Sequence, residues 1–227
     1  MTAFNVTKRV VDIIITLVCL LVAVPLLLVI SLVSIVVQGF PVFYISERHT
    51  TKDKAVKIYK FRSMVTDATN VKYHLNELYL KDGYLDIPID CEVYTMFGRI
   101  LERTQLVELP QIYNVLIDGM SWVGNRALPA ENVKMLAVFP GWEKRFESPC
   151  GLTGISQVVG KNRLSPKERI TIECLYSKVY KQGNVLKADF FIVVATIKLI
   201  LFDTNVSYDD AVALLERCLT HAKSSPL

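Results

Sequence analysis

The residues of this sequence that could do chemistry include an acid and an arginine near the middle of the chain. Glu108 precedes Pro110 by two residues, and Arg126 follows the turn expected at Gly124. Because proline is favoured at the first position of a helix, Glu108 is predicted to lie just before a helix N-terminus. Each residue alone could simply complement a helix dipole or form a surface ion pair. Together they supply the base, the charge neutralisation and the anion binding that phosphoryl transfer requires.

A second candidate group is basic and lies earlier in the chain. Lys57, Lys60 and Arg62 alternate with apolar residues in a stretch that follows a long apolar segment. Three explanations remain open for these cations, namely an anchor at a membrane interface, attraction to anionic lipid headgroups, and a pocket for phosphate. The residue types alone favour the anchor.

Several function classes lack their sequence signatures. The chain contains no Gly-rich P-loop, no G-x-S-x-G elbow and no H-E-x-x-H pair. Its five cysteines and three histidines are scattered singly, so neither a disulfide framework nor a zinc site is implied. The formal net charge of +4 is poor evidence for nucleic-acid binding. The cysteine pattern agrees with a cytoplasmic body.

Much of the 52% hydrophobic content is concentrated near the N-terminus. From Val10 to Val37 the sequence carries one charge, Asp12, and one proline, Pro25. The run is too long for the apolar region of a signal peptide, and it lacks the polar face of a core helix. It is therefore predicted to be a membrane segment.

The charges that flank this segment predict its topology. A straight helix of this length would measure about 42 Å against a hydrocarbon thickness of roughly 30 Å, and Pro25 would kink it. Lys8 and Arg9 precede the segment and further basic residues follow it, so both flanks favour the cytoplasm. A helix that dips into the bilayer, breaks at Pro25 and returns satisfies both flanks. We therefore predict a re-entrant anchor over 1–40 and a cytoplasmic domain over 41–227.

The remaining pattern predicts a compact, mostly helical α+β domain with short strands. Strands are predicted over Val42–Ser46 and Val56–Phe61, and apolar spacing from Met64 to Leu78 predicts a helical face. Further helices are predicted over Phe97–Arg103, from Pro110 to Asp118, from Pro166 past Val179, and from Ser207 to about Lys223. The apolar stretch from Val185 to Phe202 is predicted as either a core helix or a helix that lies at the membrane interface.

Ordered blocks of residues along most of the chain carry a resemblance to a known family. The blocks are Lys8-Arg9-x-x-Asp12, Gly39 with Pro41-Val42-Phe43, Lys57 to Met64, Glu108-Leu109-Pro110-Gln111 with Asn114-Val115-Leu116, Met120-Ser121, Gly124-x-Arg126, and Gly151-Leu152-Thr153-Gly154 with Gln157 and Gly160. In this order they resemble the bacterial sugar transferases, which are small monotopic phosphoglycosyl transferases. The resemblance spans roughly residues 8 to 202.

This resemblance implies a reaction and a set of partners. Such enzymes transfer a sugar-1-phosphate from a UDP-sugar to polyprenyl (undecaprenyl) phosphate, use Mg²⁺ and release UMP. They act at the cytoplasmic face of the bacterial inner membrane and start exopolysaccharide, capsule or glycoconjugate assembly. The implied partners are the lipid bilayer, polyprenyl phosphate and a UDP-sugar, without nucleic acid. A second copy of the chain and other glycan-assembly enzymes are further candidate partners.

The resemblance also assigns roles to individual positions. In the family an Asp-Glu pair opens the Leu-Pro-Gln block, where the Asp is the nucleophile and helps to hold the metal, and the Glu assists. Here the position of the Asp is Val107, whereas Glu108 is kept and becomes the candidate for catalysis and for metal binding. Valine has no lone pair to attack phosphorus or to coordinate magnesium. The candidate phosphate-binding and substrate-binding residues are Arg126, Lys60, Arg62, Arg48 and Lys161.

Two hypotheses follow from Val107. In the first, the chain is an enzyme in which Glu108 serves as nucleophile, as metal ligand, or as base for direct attack by polyprenyl phosphate. In the second, it is a catalytically impaired member of the family that acts as a membrane-bound binding or regulatory partner. The loss of a nucleophile that works as a unit with its neighbours favours the second hypothesis, and the retained scaffold favours the first.

Overall fold

A long N-terminal helix joins a set of shorter helices and three small sheets, which is the predicted α+β arrangement. The computed structural model describes residues 3–81, 84–160 and 163–223. In chain order the elements are α1 (Ala3–Gln38), β1 (Phe43–His49), β2 (Ala55–Phe61), α2 (Leu75–Tyr79), β3 (Leu80–Lys81), β4 (Tyr84–Leu85), α3 (Met96–Arg103), α4 (Ile112–Ile117), β5 (Ser121–Val123), β6 (Asn125–Arg126), α5 (Ala130–Leu136), β7 (Cys150–Thr153), α6 (Ile155–Val159), α7 (Pro166–Gln182), α8 (Val185–Phe202) and α9 (Tyr208–Lys223). Short 3₁₀ helices cover Val71–Tyr73, Leu106–Gln111 and Trp142–Glu147.

Helix α1 continues through Pro25, so the predicted break does not end the helix. A proline inside a helix removes one backbone hydrogen bond, and the bonds on either side can still hold the helical path. By length and composition, Val6–Gln38 could cross a membrane. Large apolar side chains near its middle are exposed, for example Leu21 and Leu28. Such a surface requires an apolar environment.

The N-terminal part of α1 is joined to the globular domain through buried polar groups. Lys8 forms an ion pair with Asp189 on α8, and both residues are buried. Asp12 accepts a hydrogen bond of 2.7 Å from the Ser121 hydroxyl on β5. The Trp122 indole N–H donates to Thr16 Oγ1 at 2.8 Å. These bonds fix the start of α1 against β5 and α8.

The C-terminal part of α1 contacts the same domain at another place. Ile30 is buried in an apolar cluster with Val42, Phe61 and Leu101. The Arg62 guanidinium donates to the Gln38 carbonyl oxygen at 2.6 Å and to the Gly39 carbonyl oxygen at 2.8 Å. Both ends of α1 are therefore held by one globular unit.

Strands β1 and β2 form the predicted hairpin. They pair antiparallel from Phe43 opposite Phe61 to His49 opposite Ala55. A second sheet is parallel, with β7 between β5 and β6. In this sheet, β5 contacts α1, and the following strand β6 ends at Arg126.

The largest apolar core lies among the C-terminal helices. Ile172 on α7, Ile192 on α8 and Leu215 on α9 are fully buried in it. The predicted helix from Pro166 is present as α7, and it starts with a capping box in which Ser165 and Glu168 exchange hydrogen bonds. Helices α3, α8 and α9 also lie where the sequence predicts them.

The prediction of one helix from Met64 to Leu78 is wrong. This region contains turns, the 3₁₀ helix Val71–Tyr73 and the five-residue α2. His74 has a left-handed backbone with φ of 46°, which ends one helix before the next begins. The Asn70 side chain accepts from the Lys72 backbone N–H at 3.0 Å and so favours a turn over a continuous helix.

The Lys8–Asp189 pair generates a stability prediction. Burial raises the pKa of the Asp189 carboxyl, whereas Lys8 and Tyr176 act in the opposite direction. Lys8→Met leaves a buried acid without its partner, so we expect a loss of about 3–5 kcal/mol in unfolding free energy. The measurement is thermal unfolding of the detergent-solubilised protein.

Two further variants make this test specific. Lys8→Met combined with Asp189→Leu removes both charges and should regain most of the lost stability. Lys54→Met removes an exposed cation and should leave the unfolding temperature unchanged. Unchanged stability in Lys8→Met would show that the ion pair does not hold α1 to the domain.

Candidate active site

Glu108 lies inside the 3₁₀ helix Leu106–Gln111, not before the start of an α-helix as predicted. Pro110 also belongs to this 3₁₀ helix, and α4 begins only at Ile112. The turn begins at Gln105, whose φ of 58° is left-handed. With three residues per turn, Val107 and Pro110 share one face and Glu108 lies on the next. The side chains of Val107 and Glu108 therefore point in different directions from the helix axis.

Two cations hold the Glu108 carboxylate. Lys60 Nζ lies 2.6 Å from Glu108 Oε1, and Arg126 Nη2 lies 3.6 Å from the same oxygen. The three side chains are 17–21% exposed, so the cluster is partly shielded from solvent but still reachable. Solvent therefore weakens the attraction between these cations and a bound anion less than it would at a fully exposed cluster. The arrangement can bind a phosphate beside a carboxylate.

The position of Lys60 follows from strand alternation. Side chains of Val56, Ile58 and Lys60 share one face of β2, because successive residues of a strand point to opposite faces. Val56 and Ile58 are buried in an apolar cluster with Val115. Lys60 continues the same face at the point where β2 packs against the Leu106–Gln111 helix. The strand thus directs its ammonium group at Glu108.

Arg126 is placed by a tight turn and by buried polar groups. A side chain at Gly124 would bring its Cβ to 2.2 Å from the Pro149 carbonyl oxygen, so only glycine fits. Arg145 Nη2 donates to the Arg126 carbonyl oxygen at 2.8 Å. The Asn125 amide donates to the Arg145 carbonyl oxygen at 2.8 Å. The buried Asn125 amide therefore holds the chain immediately before Arg126.

Arg48 lies within electrostatic range of this cluster. Burial and the positive charge of Arg126 lower the pKa of the Arg48 guanidinium, while Glu108 and Glu131 oppose that shift. Two guanidinium groups that repel each other favour an anion between them. The role of Arg48 in phosphate binding stays a prediction.

Two other predicted residues are not part of this cluster. Arg62 donates hydrogen bonds to carbonyl oxygens at and just after the end of α1, so it lies beside that helix and not beside Glu108. The explanation of this residue as an anchor at a membrane interface stays a prediction. Lys161 lies outside the residues that the structure describes, and its phosphate contact stays a prediction.

Val107 points into the apolar core. Its side chain is 1% exposed and packs with Ile30 of α1, with Val42 and with Leu101. The residue therefore joins the anchor helix to the domain. The Val107 side chain therefore stabilises the fold by packing and supplies no reactive group.

A cavity of about 870 Å³ contains Glu108 and Arg126 in its wall. Polar groups from Thr153, Gln157 and Thr196 also line it. Gln157 Nε2 donates to the Leu152 carbonyl oxygen, and Gln157 Oε1 is buried with no hydrogen-bond partner in the described part of the chain. An unpartnered buried acceptor favours a ligand that carries a donor such as a hydroxyl.

Sequence reasoning missed the part of the cavity that α8 forms. Thr196, Ile197 and Ile200 of α8 line the cavity together with Glu108. No local signal reveals this contact, because α8 lies far from Glu108 in sequence, and its apolar residues predict only a core or interfacial helix. Only the packing of α8 beside β5 and β7 brings the two together.

The carboxylates of the cavity allow only a sparse metal site. In residues 3–81, 84–160 and 163–223, no group of three or more His, Cys, Asp or Glu residues could enclose a metal ion. Glu108 and Asp203 are carboxylates in the cavity wall. Magnesium commonly keeps its waters and binds through one or two carboxylates and substrate phosphates. The donor set fits an ion that arrives with a diphosphate.

Comparisons with known proteins agree with this chemistry. The chain matches the family described as "Bacterial sugar transferase" over residues 3–203. An exopolysaccharide production protein, PSS, of Rhizobium leguminosarum bv. phaseoli is 32% identical over 206 residues, which cover 89% of this chain and 94% of that protein.

Two further relatives carry more specific names. UDP-glucose:undecaprenyl-phosphate glucose-1-phosphate transferase of Klebsiella pneumoniae is 29% identical over 192 residues, 84% of this chain and 39% of the relative. Undecaprenyl-phosphate galactose phosphotransferase of Salmonella typhimurium is 29% identical over 201 residues, 86% of this chain and 40% of the relative. The chain spans nearly all of the Rhizobium protein but only about two fifths of each of these two.

The burial of Val107 predicts the outcome of placing an aspartate there. Val107→Asp inserts a carboxylate into an apolar cluster, so we expect unfolding free energy to fall by about 3 kcal/mol or more. The nearly isosteric Val107→Thr should lose less, because its hydroxyl is neutral. Thermal unfolding of both variants measures the difference. An aspartate variant as stable as the unmodified protein would show that this side chain reaches the cavity.

Proposed function

Because the chain belongs to the bacterial sugar transferase family, we propose that it transfers a sugar-1-phosphate from a UDP-sugar to polyprenyl phosphate. Undecaprenyl phosphate is the proposed acceptor, and the product starts exopolysaccharide, capsule or glycoconjugate assembly. The observation that carries the proposal is the Glu108 carboxylate held by Lys60 and Arg126 in the wall of a large cavity. The names of the Klebsiella and Salmonella relatives support the same reaction class.

The proposed reaction exchanges one phosphoanhydride bond for another. An acceptor phosphate oxygen becomes bonded to the β-phosphorus of the UDP-sugar, and the bond from that phosphorus to the oxygen bridging the α-phosphorus breaks. UMP leaves with the bridging oxygen, and the sugar remains on a polyprenyl diphosphate. Negative charge accumulates on the transferred phosphoryl group and on UMP. Lys60, Arg126 and Arg48 are placed to stabilise that charge.

Glu108 is the carboxylate that we assign to the reaction itself. In one route its carboxylate oxygen attacks the β-phosphorus, UMP leaves, and the acceptor phosphate then displaces Glu108 from the phosphorylated intermediate. In the other route the acceptor phosphate attacks directly and Glu108 orients or deprotonates it. Both routes give the same products, and they differ in whether UMP can leave before the acceptor binds.

Magnesium is proposed as the accompanying ion. Glu108 would supply a carboxylate oxygen to hold it, since magnesium commonly binds through one or two carboxylates together with substrate phosphates and water. A bound divalent cation neutralises diphosphate charge and polarises a phosphoryl oxygen. Lys60 and Arg126 perform part of the same charge neutralisation through side chains of the protein.

The main ground for the alternative, a catalytically impaired binding partner, is Val107 at the position expected for the nucleophile. The packing of Val107 against α1 gives this residue a structural role. The retained Glu108, Lys60 and Arg126 cluster gives the cavity a reactive group and phosphate-binding charges. These observations favour the transferase.

The contacts of α1 support a re-entrant membrane anchor. Lys8 near its start and Gln38 at its end both contact the same globular domain, while side chains such as Leu21 between them are exposed. A helix that crossed the bilayer would place its two ends on opposite faces. We therefore propose that α1 dips into the inner membrane and that the domain lies on the cytoplasmic face, where the flanking cations favour it.

The transferase proposal predicts UMP release. Protein in lipid nanodiscs with a UDP-sugar, Mg²⁺ and undecaprenyl phosphate should release UMP, and Glu108→Gln should lower the rate at least a hundredfold because the amide cannot attack or accept a proton. Glu143→Gln changes an exposed acid outside the cavity and should keep the normal rate. If no UDP-sugar yields UMP, the chain is the impaired binding partner instead.

A single-turnover version separates the two routes for Glu108. Without acceptor, the covalent route predicts UMP up to one equivalent of enzyme, together with a sugar-phosphate adduct on the peptide that contains Glu108. The direct route predicts no UMP until undecaprenyl phosphate is added. Mass spectrometry of the protein distinguishes them.

The anchor proposal predicts that both termini are on one side of the membrane. Tags placed at residue 1 and at residue 227 should be protected together in intact spheroplasts and become accessible together after lysis. Accessibility of one tag alone in intact spheroplasts would establish a crossing helix. If both tags were accessible in intact spheroplasts, the domain would lie on the opposite face from the one proposed.

A further inference from the structure

The cavity that holds Glu108 has a charged end and an apolar wall. Glu108 and Arg126 form the charged end. Val193, Ile197 and Ile200 of α8 form much of the apolar wall, together with Leu109 and Ile112. An anion with an apolar body can therefore contact both parts of the cavity, and polar groups such as Thr196 remain for a second, hydroxyl-bearing substrate.

The apolar side chains of α8 fall on two different faces. Ala188, Ile192 and Ala195 are buried in the domain core. Val193, Ile197 and Ile200 are spaced by four and three residues, so they form a second stripe on one helical face. They are 39%, 51% and 44% exposed, although they line the cavity. The apolar character of Val193, Ile197 and Ile200 is therefore not explained by packing in the domain core.

The cavity lies beside the membrane anchor. Ile112 lines the cavity at the start of α4, and α4 packs against α1. Tyr113 and Ile117, on the same short helix, are 51% and 65% exposed. One short helix that contacts α1 therefore also lines the cavity and carries exposed apolar side chains.

We propose that Val193, Ile197 and Ile200 bind the first part of the isoprenoid chain of the acceptor lipid, with its phosphate directed toward Arg126 and Lys60. This inference rests on the proposed transferase function. The stripe extends about 10 Å along α8, which suits the start of a long chain whose remainder stays in the bilayer. Charge complementarity selects a phosphate-bearing lipid over a neutral one, because the same cavity has cations at its other end.

The same surface could instead serve only as a membrane contact. Leu201 provides the matched control, because it is on α8, is 66% exposed and does not line the cavity. A general membrane contact predicts similar effects from Ile197→Asp and Leu201→Asp. An acceptor-binding stripe predicts an effect from Ile197→Asp alone.

The test measures UMP release in nanodiscs while undecaprenyl phosphate and the UDP-sugar are varied separately. We expect Ile197→Asp to raise the acceptor KM about tenfold or more and to leave the KM for the UDP-sugar unchanged, because only the lipid contacts the stripe. Ile197→Leu should keep the normal acceptor KM, and Leu201→Asp should do the same. A changed KM for the UDP-sugar, an unchanged acceptor KM, or an equal effect in Leu201→Asp would overturn the inference.

A second measurement does not depend on turnover. A polyprenyl phosphate that carries a benzophenone near its phosphate should label the peptide containing residues 193–200, and undecaprenyl phosphate should compete. Absence of labelling there, or competition by a neutral polyprenol of equal length at equal concentration, would overturn the inference. If the unmodified protein releases no UMP but the labelling is specific, the transferase proposal fails while the lipid-phosphate site remains.

Discussion

The buried ion pair between Lys8 and Asp189 is the constraint on which the rest of this structure depends. A membrane helix has no polar surface of its own to hold a globular domain, so its attachment requires specific buried groups. Lys8 and Asp12 supply those groups, and they meet α8 and β5. Separating them would leave charges without partners in an apolar environment, which is strongly unfavourable. The anchor and the domain therefore form one structural unit.

This attachment has consequences for the cavity. Asp12 holds β5 through Ser121, and the chain then passes from β5 through Gly124 to Arg126. Asp189 lies at the start of α8, and the later part of the same helix lines the cavity wall. The charged end and the apolar wall are therefore both positioned by elements that α1 contacts. Membrane attachment and the geometry of the site are coupled through these two elements.

Features of the sequence that depend on local rules predict the structure well. The hairpin of β1 and β2 follows from alternation and a polar turn, and the start of α7 follows from the Ser165 capping box. The region from Met64 to Leu78 has helical spacing, but the left-handed backbone at His74 and the turn at Asn70 interrupt it. Helical spacing shows only which side chains would share a face if the segment were a helix. It gives no information about the hydrogen bonds by which turn residues compete with a helix.

The candidate site depends on contacts that no local pattern reveals. Lys60, Glu108 and Arg126 were candidates from their types and from the family resemblance, and the structure brings them together. The contribution of α8 requires the long-range packing of the core. Arg62 has the same residue type as Arg126, yet its position at the end of β2 directs it to the end of α1. Residue type identifies which groups can bind phosphate, and topology decides which of them do.

The 3₁₀ helix explains how the substitution at Val107 is compatible with the rest of the site. Because the helix repeats every three residues, Val107 shares a face with Pro110, and that face packs against the anchor. A valine there strengthens the apolar contact with α1, while Glu108 keeps its direction toward Lys60. Glu108 lines the cavity, whereas the adjacent Val107 is buried in the apolar cluster that contains Ile30 of α1. The packing against α1 and the position of the Glu108 carboxylate are thus set by adjacent residues of the same turn of helix.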